Sequence, residues 1–268
     1  MRLVILLLAL PLLFSSTNDW EANYETVANN VTYDCIIEIA ELQLVYHEAA
    51  ENLKTEIRIS ELIGNGYRGY EAVVGNPAAV IVTNRKETTL KALERSKGKF
   101  AVNGGGFVEK DPIGNTVVES ELIGAFKSSR HRWDIFIGFD SDNNLIGGRV
   151  NSHNELMAMG PVHGISFGPA LVVDGEPQHL ESKDLQPRTA VGQLVCGSLL
   201  FIVIDGRQPG WSRGITINDL RDIFIDRGAV NAFNLDGGGS STMVYYGKVL
   251  NRPSEGRLRV VANSIVIR

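Results

Sequence analysis

Apolar and polar residues alternate along much of this chain, and the alternation predicts many short β-strands and few helices. Residues 31–40 and 49–62 alternate in this way, as expected of strands with one buried face. Later apolar runs at residues 134–139 and 171–176 end in turns rich in Asp, Asn and Gly, which punctuate strands. Between residues 108 and 154 we expect only strands and loops. The pattern predicts a strand-rich, mixed α/β fold.

Two segments carry a helical period instead. Residues 88–97 place Leu90 and Leu93 on one side, and Gly98 stands at the C′ position that often ends a helix. The second helix is expected to start at an N-cap on Thr216 and to end at Gly228. Its third residue after the cap is Asp219, a variant of the capping box, and its apolar face consists of Ile217, Leu220, Ile223 and Phe224.

The second helix lies between two apolar runs, residues 198–205 and 230–236. The first run is apolar at nearly every position, which is typical of a strand buried on both faces. Short links favour a right-handed βαβ unit with parallel strands over about residues 198–236. A hairpin at residues 243–250 and a strand at residues 260–267 would close the sheet.

Two carboxylates follow from this topology. Asp205 and Asp236 each end a strand of the predicted unit, so both should lie at the carboxyl edge of the sheet, where ligands of open α/β sheets bind. We expect their carboxyl groups to be roughly 5–10 Å apart, a separation at which two carboxylates can act on one substrate.

The segment after Asp236 is Gly-Gly-Gly-Ser-Ser-Thr. Successive glycines can bring bare N–H groups close to a ligand and form an anion-binding nest. An ordinary hairpin turn is the alternative, because Asp-Gly and Gly-Gly are common turn dipeptides. Arg188, Arg207 and Arg213 lie in loops that flank the same strands, and the planar guanidinium binds phosphate or carboxylate oxygens in pairs. Salt bridges to the aspartates are the alternative for these arginines.

Charge and length narrow the function. The chain has 268 residues and a net charge of −5, which disfavours nucleic acid or an anionic membrane as a partner. The apolar run at residues 3–14 follows Arg2 and precedes small polar residues, the layout of a secretory signal peptide. We therefore expect a signal peptide at residues 1–17, an exported or cell-envelope protein, and no stable membrane span after cleavage. Residues 18–99 and 100–268 are expected to form one globular unit.

Metal and cysteine signals are weak. Cys35 and Cys196 lie in apolar, strand-like runs; export permits a disulfide, and two buried thiols are the alternative. Residues 140–144 are acidic but lack the glycine and distal glutamate of an EF-hand loop. His163 is expected to be structural. We therefore predict no cofactor and no metal, with calcium-dependent hydrolysis as a lesser alternative.

Four blocks together resemble the phosphodiester glycosidase family, some bacterial members of which are labelled exopolysaccharide-biosynthesis proteins. They are residues 101–107 (Ala-Val-Asn-Gly-Gly-Gly-Phe), 187–192 (Pro-Arg-Thr-Ala-Val-Gly), 203–216 (Val-Ile-Asp-Gly-Arg-Gln-Pro-Gly-Trp-Ser-Arg-Gly-Ile-Thr) and 234–243 (Asn-Leu-Asp-Gly-Gly-Gly-Ser-Ser-Thr-Met). Each block alone is a weak signal, but their order along roughly residues 100–268 is specific.

The resemblance implies hydrolysis of a sugar-1-phosphodiester at the glycosidic bond, giving free sugar and a phosphomonoester. The substrate would be an N-acetylglucosamine-1-phosphodiester or a similar phosphorylated envelope or exopolysaccharide glycan. Asp205 and Asp236 would be the catalytic carboxylates. The substrate-binding residues would be Asn103, Gly104, Gly105, Arg188, Thr189, Arg207, Ser212, Asn234, Gly237, Gly238, Ser240 and Ser241. A non-catalytic extracytoplasmic glycan-binding protein on the same scaffold is the alternative, and it would keep the arginines and Trp211 without needing both aspartates.

Overall fold

The computed structural model describes residues 55–109, 111–129 and 134–268. The segment from Thr55 to Arg268 forms one compact unit. The predicted signal peptide, the predicted strand at residues 31–40 and Cys35 lie outside the described residues.

The described part is rich in strands and contains three α-helices, so the prediction of a strand-rich fold with few helices is confirmed. The helices are α1 (Thr89–Ser96), α2 (His153–Ala158) and α3 (Ile217–Asp226). The strands, in chain order, are β1 (Glu56–Gly64), β2 (Tyr67–Gly75), β3 (Val80–Thr83), β4 (Glu87–Thr88), β5 (Phe100–Asn103), β6 (Phe107–Val108), β7 (Asp111–Pro112), β8 (Thr116–Val118), β9 (Glu121–Leu122), β10 (Ile135–Phe139), β11 (Leu145–Gly148), β12 (His163–Phe167), β13 (Ala170–Val173), β14 (Glu176–Pro177), β15 (Arg188–Leu194), β16 (Leu199–Ile204), β17 (Ala229–Leu235), β18 (Met243–Tyr245), β19 (Lys248–Val249), β20 (Val260–Val261) and β21 (Ser264–Ile267).

Three sheets carry the architecture. The largest has seven strands in the order β1-β2-β16-β15-β17-β13-β14, and two five-stranded sheets have the orders β11-β10-β12-β8-β9 and β19-β18-β5-β21-β3. Strand β21 pairs with both β3 and β5, so the last strand of the chain lies inside its sheet. The hairpin β18–β19 occupies one edge of that sheet.

The predicted parallel βαβ unit differs from the observed topology. Strands β16 and β17 are joined by α3, but β15 lies between them and is antiparallel to both. They therefore run in the same direction without hydrogen bonding to each other. The sequence between β16 and β17 gives no sign of this insertion, because β15 precedes both of them in the chain.

Strand β16 is buried on both faces, as its continuous apolar run predicts. Leu199, Phe201 and Val203 face a core that residues of all three sheets enclose. The alternate residues face a second core, which α3 covers with Ile217, Leu220 and Phe224. The seven-stranded sheet is thus packed between the other two sheets and helix α3, which is why β16, with both faces buried, carries no polar residue.

Helix α3 begins at the predicted N-cap, whereas helix α1 ends in a different way from the one predicted. The hydroxyl of Thr216 accepts a hydrogen bond from the N–H of Asp219 at 3.1 Å, as the capping box predicts. It also donates to the Asp219 carboxylate at 2.7 Å, whereas a capping box would pair that carboxylate with the backbone N–H of the cap residue. Helix α1 ends differently from expectation, because Lys97 takes the left-handed conformation with φ of 53°. Gly98 is needed for space instead, since a Cβ there would clash with a methyl group of Val266.

Helix α2 was not expected from the sequence. Its N-cap Ser152 accepts from the N–H of Glu155 at 3.1 Å, and the Glu155 carboxylate accepts from the N–H of Asn151 at 2.7 Å. Ser152 and Glu155 have the spacing of a capping box, so the signal was present. The helix has only six residues, too few to show an apolar period.

Two loop predictions are now settled. Cys196 is exposed in the turn between β15 and β16, so the expectation of a strand-like, buried position was wrong. The acidic segment at residues 140–144 is a turn in which the carboxylate of Asp140 accepts from the backbone N–H groups of Asp142 and Asn144.

Across the described residues, no helix is long and apolar enough to cross a membrane.

The shared core generates a stability prediction. Phe201 is fully buried, and its ring centre lies 5.1 Å from that of Phe100. Phe201→Ala should lower the free energy of unfolding by about 3–5 kcal/mol, because it removes a buried ring and leaves a cavity. Urea unfolding at equilibrium measures the change. Val195→Ala is the control, since Val195 is 79% exposed and should change stability by less than about 0.5 kcal/mol. Equal effects of the two substitutions would contradict this view of the core.

Candidate active site

The ends of three central strands meet at one edge of the seven-stranded sheet. Because β15 is antiparallel to β16 and β17, it begins where they end. Its first residue, Arg188, lies opposite Ile204 of β16, and the same edge continues to Leu235 at the end of β17. Asp205 and Asp236 directly follow these strand ends. Two inter-strand spacings, roughly 10 Å, separate the backbones of β16 and β17 there.

A cleft of about 340 Å³ opens at this edge. Its walls come from the connection between β12 and β13, the approach to β15, the loops after β16 and β17, and one arginine near the C-terminus. The lining residues are Phe167, Gly168, Gln186, Pro187, Arg188, Arg207, Asn234, Asp236, Gly237, Gly238, Gly239 and Arg259.

Asp236 is the carboxylate of the cleft and is half-buried. The hydroxyl of Ser240 and the backbone N–H of Gly237 lie near enough to this carboxylate to lower its pKa. Removal from water raises the pKa of the Asp236 carboxyl, although Ser240, the charge of Arg259 and the Gly237 N–H oppose the rise. A carboxylate with a raised pKa is a better proton acceptor, which suits it to catalysis.

Arg259 was not singled out by the sequence analysis. Its guanidinium pairs with Glu255 and donates to the hydroxyl of Ser240 at 3.3 Å. Since the Ser240 hydroxyl also interacts with the Asp236 carboxylate, this serine links the arginine to the cleft carboxylate. This link orients Asp236, and Glu255 compensates much of the charge of Arg259.

Arg188 and Arg207 are different, because neither has a carboxylate within ion-pair distance in the part of the chain that the structure describes. Arg188 donates to the backbone carbonyl of Asp184 at 3.3 Å, and its Nε is buried without a partner. The pKa of the Arg188 guanidinium is lowered, chiefly by burial. The charge of Asp184 opposes this change, and the charge of Arg207 adds to it. An arginine stays protonated nevertheless, so the two leave positive charge in the cleft.

Asn234 presents an unsatisfied acceptor. Its amide nitrogen donates to the carbonyl of Gly168 at 2.8 Å, but its side-chain oxygen is buried without a hydrogen-bond partner. A buried acceptor left unpaired costs about 1–3 kcal/mol. A hydroxyl or N–H group of a ligand in the cleft would remove that cost.

The glycine loop after Asp236 brings the backbone close to Pro187. A Cβ on Gly237 would lie 2.6 Å from the Pro187 carbonyl oxygen, and Gly238 has a φ of 61°. The N–H groups of Gly238, Ser240 and Ser241 donate to backbone carbonyls, so these three amides already have partners. The Gly237 N–H interacts with the Asp236 carboxylate. The anion-binding nest stays a prediction, and the side-chain arginines are the cationic groups of the cleft.

Asp205 lies outside the lining of the cleft and is only 2% exposed. Its carboxylate accepts from the amide of Asn251 at 3.0 Å, the backbone N–H of Arg252 at 2.9 Å and the indole N–H of Trp211 at 2.9 Å. Burial raises the pKa of Asp205, and the three donors lower it. Asp205 therefore ties the loop after β16 to residues 251–252, and its role as a second catalytic carboxylate stays a prediction.

Asn103 and Thr189 were expected to contact substrate, but the structure places both in the interior. Neither is exposed to solvent. The Asn103 amide donates to the backbone carbonyl of Asp236 at 2.6 Å, and its oxygen accepts from the hydroxyl of Thr189 at 2.8 Å and the N–H of Thr242 at 3.1 Å. These residues hold the Asp236 loop from behind the cleft.

Gly104 and Gly105 also lie outside the residues that line the cleft. The carbonyl of Gly104 accepts from the N–H of Asp236 at 3.0 Å, and the N–H of Gly105 donates to the side chain of Asn263 at 2.7 Å. A Cβ on Gly104 would clash with that same side chain. The first glycine triplet thus supports the second through close backbone packing.

The three predicted serine contacts differ in surroundings. Ser212 is buried and donates to the carbonyl of Asp205 at 2.6 Å, so it serves the loop after β16. Ser240 accepts a hydrogen bond from Arg259, and its hydroxyl lowers the pKa of Asp236. The hydroxyl of Ser241 is buried without a partner. None of the three is among the residues that line the cleft.

Other surface features are less suited to the predicted chemistry. Two cavities of about 300 and 610 Å³ share Asp111, Pro112, Gly114 and Lys127. None of the predicted site residues lines either cavity.

His163 is buried, and burial lowers its pKa. Its Nδ1 accepts a hydrogen bond from the N–H of Glu119 at 3.4 Å. Among the described residues, no three His, Cys, Asp or Glu side chains cluster as metal ligands would.

The sequence model of the phosphodiester glycosidase family matches residues 96–268, a range that contains every residue lining the cleft. The chain belongs to the phosphodiester glycosidase family. The resemblance inferred from the four sequence blocks is therefore confirmed.

Individual relatives agree with the family match. The chain is 30% identical over 207 residues to the SPbeta prophage-derived uncharacterized protein YomE of Bacillus subtilis (strain 168), covering 74% of this chain and 32% of the relative. It is 26% identical over 193 residues to the Homo sapiens N-acetylglucosamine-1-phosphodiester alpha-N-acetylglucosaminidase, covering 64% and 36%. The chain thus spans about a third of the length of these relatives.

A solved structure shows the same fold. The catalytic domain of the zebrafish N-acetylglucosamine-1-phosphodiester alpha-N-acetylglucosaminidase, auto-inhibited by its pro-peptide, superposes with a TM-score of 0.65 at 23% sequence identity. The match covers 80% of this chain and 83% of the zebrafish chain. A putative exported protein from Burkholderia pseudomallei K96243 matches with a TM-score of 0.56 at 17% identity, over 76% of this chain and 75% of the other.

The pKa of Asp236 leads to a prediction about stability. A raised pKa in the folded state favours the protonated fold, so this contribution is present at low pH and is lost as pH rises through the folded-state pKa. Asp236→Asn cannot ionise, so the variant should be more stable than the parent at pH 7. The gain should vanish below pH 3.8, the pKa of an unperturbed aspartate.

Urea unfolding of both proteins at pH 7 and pH 3.5 measures this difference. Asp142→Asn, in an exposed turn, is the control for removing one negative charge. A loss of stability at neutral pH, or the same gain at both pH values, would show that desolvation does not dominate at Asp236.

Proposed function

We propose that this protein is a hydrolase that cleaves a sugar-1-phosphodiester at its glycosidic bond. The observation that carries the proposal is one cleft that combines the half-buried carboxylate of Asp236 with the uncompensated arginines Arg188 and Arg207. Water adds to C1 of the sugar, the bond from C1 to the phosphate oxygen breaks, and a phosphomonoester leaves with the electron pair. The proton from water is released.

The arginines match the charge that develops in this reaction. A phosphodiester carries one negative charge, and the departing phosphomonoester gains a second as the C1–O bond breaks. Arg188 and Arg207 sit where they can stabilise that added charge, and preorganised positive groups in a cleft are effective for this purpose. A strong general acid is unnecessary, because the phosphate is already a good leaving group.

Asp236 supplies the carboxylate at the sugar. It either removes a proton from the attacking water or attacks C1 itself, and the two routes give inverted and retained anomers respectively. The Ser240 hydroxyl and the Gly237 N–H interact with it and would orient it for either route. Asn234, whose buried oxygen has no partner, would accept a hydrogen bond from a sugar hydroxyl or amide N–H.

The relatives suggest the substrate class. The human and bovine proteins are N-acetylglucosamine-1-phosphodiester alpha-N-acetylglucosaminidases. Each match covers 64% of the present chain and 36% of the relative. We therefore propose an N-acetylglucosamine-1-phosphodiester, or a similar phosphorylated glycan of the cell envelope, as the substrate. Export through a signal peptide at residues 1–17 would bring the protein to such glycans.

Turnover of the methyl phosphodiester of N-acetylglucosamine 1-phosphate tests the reaction. In water enriched in ¹⁸O, the label should enter the sugar if the C1–O bond breaks, whereas it would enter the phosphate if the P–O bond broke. The anomer seen first by proton NMR separates the two routes for Asp236. Label in the phosphate would refute a glycosidase, and saturable binding without any turnover would support a non-catalytic glycan-binding protein.

Replacement of the two aspartates assigns their roles. Asp236→Asn should lower kcat/KM by about 10²–10⁴-fold, the usual contribution of a catalytic acid or base. Asp205→Asn should cause a smaller loss together with lower stability, because its new N–H₂ group would face one of the three donors around Asp205. Steady-state kinetics and urea unfolding measure both effects. A large loss in Asp205→Asn with unchanged stability would establish Asp205 as a second catalytic carboxylate.

Replacement of the arginines tests the phosphate site. Arg188→Lys and Arg207→Lys should each cost about 1.5–3 kcal/mol, roughly tenfold to a hundredfold in kcat/KM, because a point charge cannot replace a bidentate guanidinium. Arg58→Lys, in the exposed part of β1, is the matched control and should leave kcat/KM unchanged. Full activity in both cleft variants would remove these arginines from the phosphate site.

A further inference from the structure

Gln186 holds one of the two uncompensated arginines of the cleft. Its side-chain oxygen accepts a hydrogen bond from Nε of Arg207 at 2.8 Å, and both residues line the cleft. The backbone of Gln186 is fixed in turn. It exchanges hydrogen bonds of 3.2 and 3.1 Å with Ile215, and it packs so closely on Gly214 that a Cβ there would lie 2.6 Å from it. The acceptor that meets Arg207 is therefore well positioned.

Arg207 is directed by its backbone as well. Its φ of 58° lies in the left-handed region, which residues other than glycine seldom adopt. Its guanidinium lies over Gly238, where Nη1 is 3.2 Å from the position of a Cβ. With Nε bound to Gln186, the two terminal nitrogens remain as donors that could meet two oxygens of a phosphate.

The chemistry of the acceptor matters because an amide has no charge. Glu255 pairs with Arg259 in the same cleft, and that carboxylate compensates the charge of its arginine. Gln186 offers Arg207 a similar oxygen but leaves the full positive charge available. A glutamate in its place would orient the guanidinium equally well while cancelling much of its field.

We propose that Gln186 is a positioning and specificity residue that aims Arg207 into the cleft and keeps its charge uncompensated, so that the cleft prefers phosphate groups of higher negative charge. The identity of the substrate rests on the proposed function, but binding of phosphate to the cleft does not. The preference has a consequence for the reaction, since the dianionic phosphomonoester product would bind more tightly than the monoanionic diester.

Three ligands of graded charge test the proposal by calorimetry at pH 7.5: inorganic phosphate, methyl phosphate and dimethyl phosphate. Gln186→Glu should weaken methyl phosphate about tenfold, the scale of one added charge within several ångströms after screening by salt. The loss should be about threefold for the monoanionic dimethyl phosphate, because the added repulsion scales with ligand charge. Gln186→Leu removes the hydrogen bond without adding charge, so it should weaken all three ligands by about twofold to fivefold.

The double variant with Arg207→Gln shows whether the effect passes through the arginine. In that background, Gln186→Leu should change phosphate affinity by less than about twofold, because no guanidinium remains for this side chain to orient. Gln178→Glu adds the same charge outside the cleft and should leave affinity within about twofold of the parent, since salt screens distant surface charges. Urea unfolding confirms that each variant is folded.

The outcomes separate this inference from the proposed function. Equal losses in Gln186→Glu and Gln186→Leu, losses from Gln186→Glu that are independent of ligand charge, or an undiminished loss from Gln186→Leu in the Arg207→Gln background would overturn the role of Gln186. Absence of phosphate binding to the parent protein would overturn it too. If the graded losses are seen but the parent hydrolyses no sugar phosphodiester, the role of Gln186 stands and the proposed hydrolase does not.

Discussion

The insertion of β15 between β16 and β17 is the constraint on which the cleft depends. An antiparallel strand starts at the edge where its neighbours end, so Arg188 at the start of β15 lies beside Asp205 and Asp236 at the ends of the other two strands. A directly paired βαβ unit would place the two aspartates on the same edge but would leave no arginine between them. The insertion thus brings the carboxylate of Asp236 and the guanidinium of Arg188 to the same edge of the seven-stranded sheet.

The polar residues at this edge fall into two groups that do different work. Asn103, Thr189, Ser212 and Asp205 are buried, and their side chains meet partners within the protein. They hold the loops in place, and buried polar groups are stable only when paired in this way. In contrast, Arg188 and Asn234 keep atoms without partners, and Arg207 has no carboxylate beside it among the described residues. Unpaired capacity, rather than polarity alone, distinguishes the groups that can bind a ligand.

The sequence predicted several features of the site for sound physical reasons. Asp236, Arg188 and Arg207 were proposed from strand ends and flanking loops, Asn234 was implied by the family resemblance, and all four line the cleft. Arg259 and Gln186 were missed. Neither lies in an apolar pattern or a recognisable motif, and their importance comes from contacts with Ser240 and Arg207 that are distant in sequence. The block at residues 101–107 was recognised in the sequence, but sequence spacing does not show that the Asn103 side chain points to the interior rather than into the cleft.

Local patterns by themselves determined the strand-rich class, the doubly buried β16 and the capped helix α3, because burial period and capping depend on residues close together in the chain. They also determined the family, because the order of the four sequence blocks can be recognised without knowing how the chain packs. Tertiary structure alone decided that β15 separates β16 from β17, that Asp205 is enclosed by Trp211, Asn251 and Arg252, and that the N–H groups of Gly238, Ser240 and Ser241 are already bonded. These outcomes depend on which distant segments compete for the same donors and acceptors, and that competition is settled only when the chain is folded.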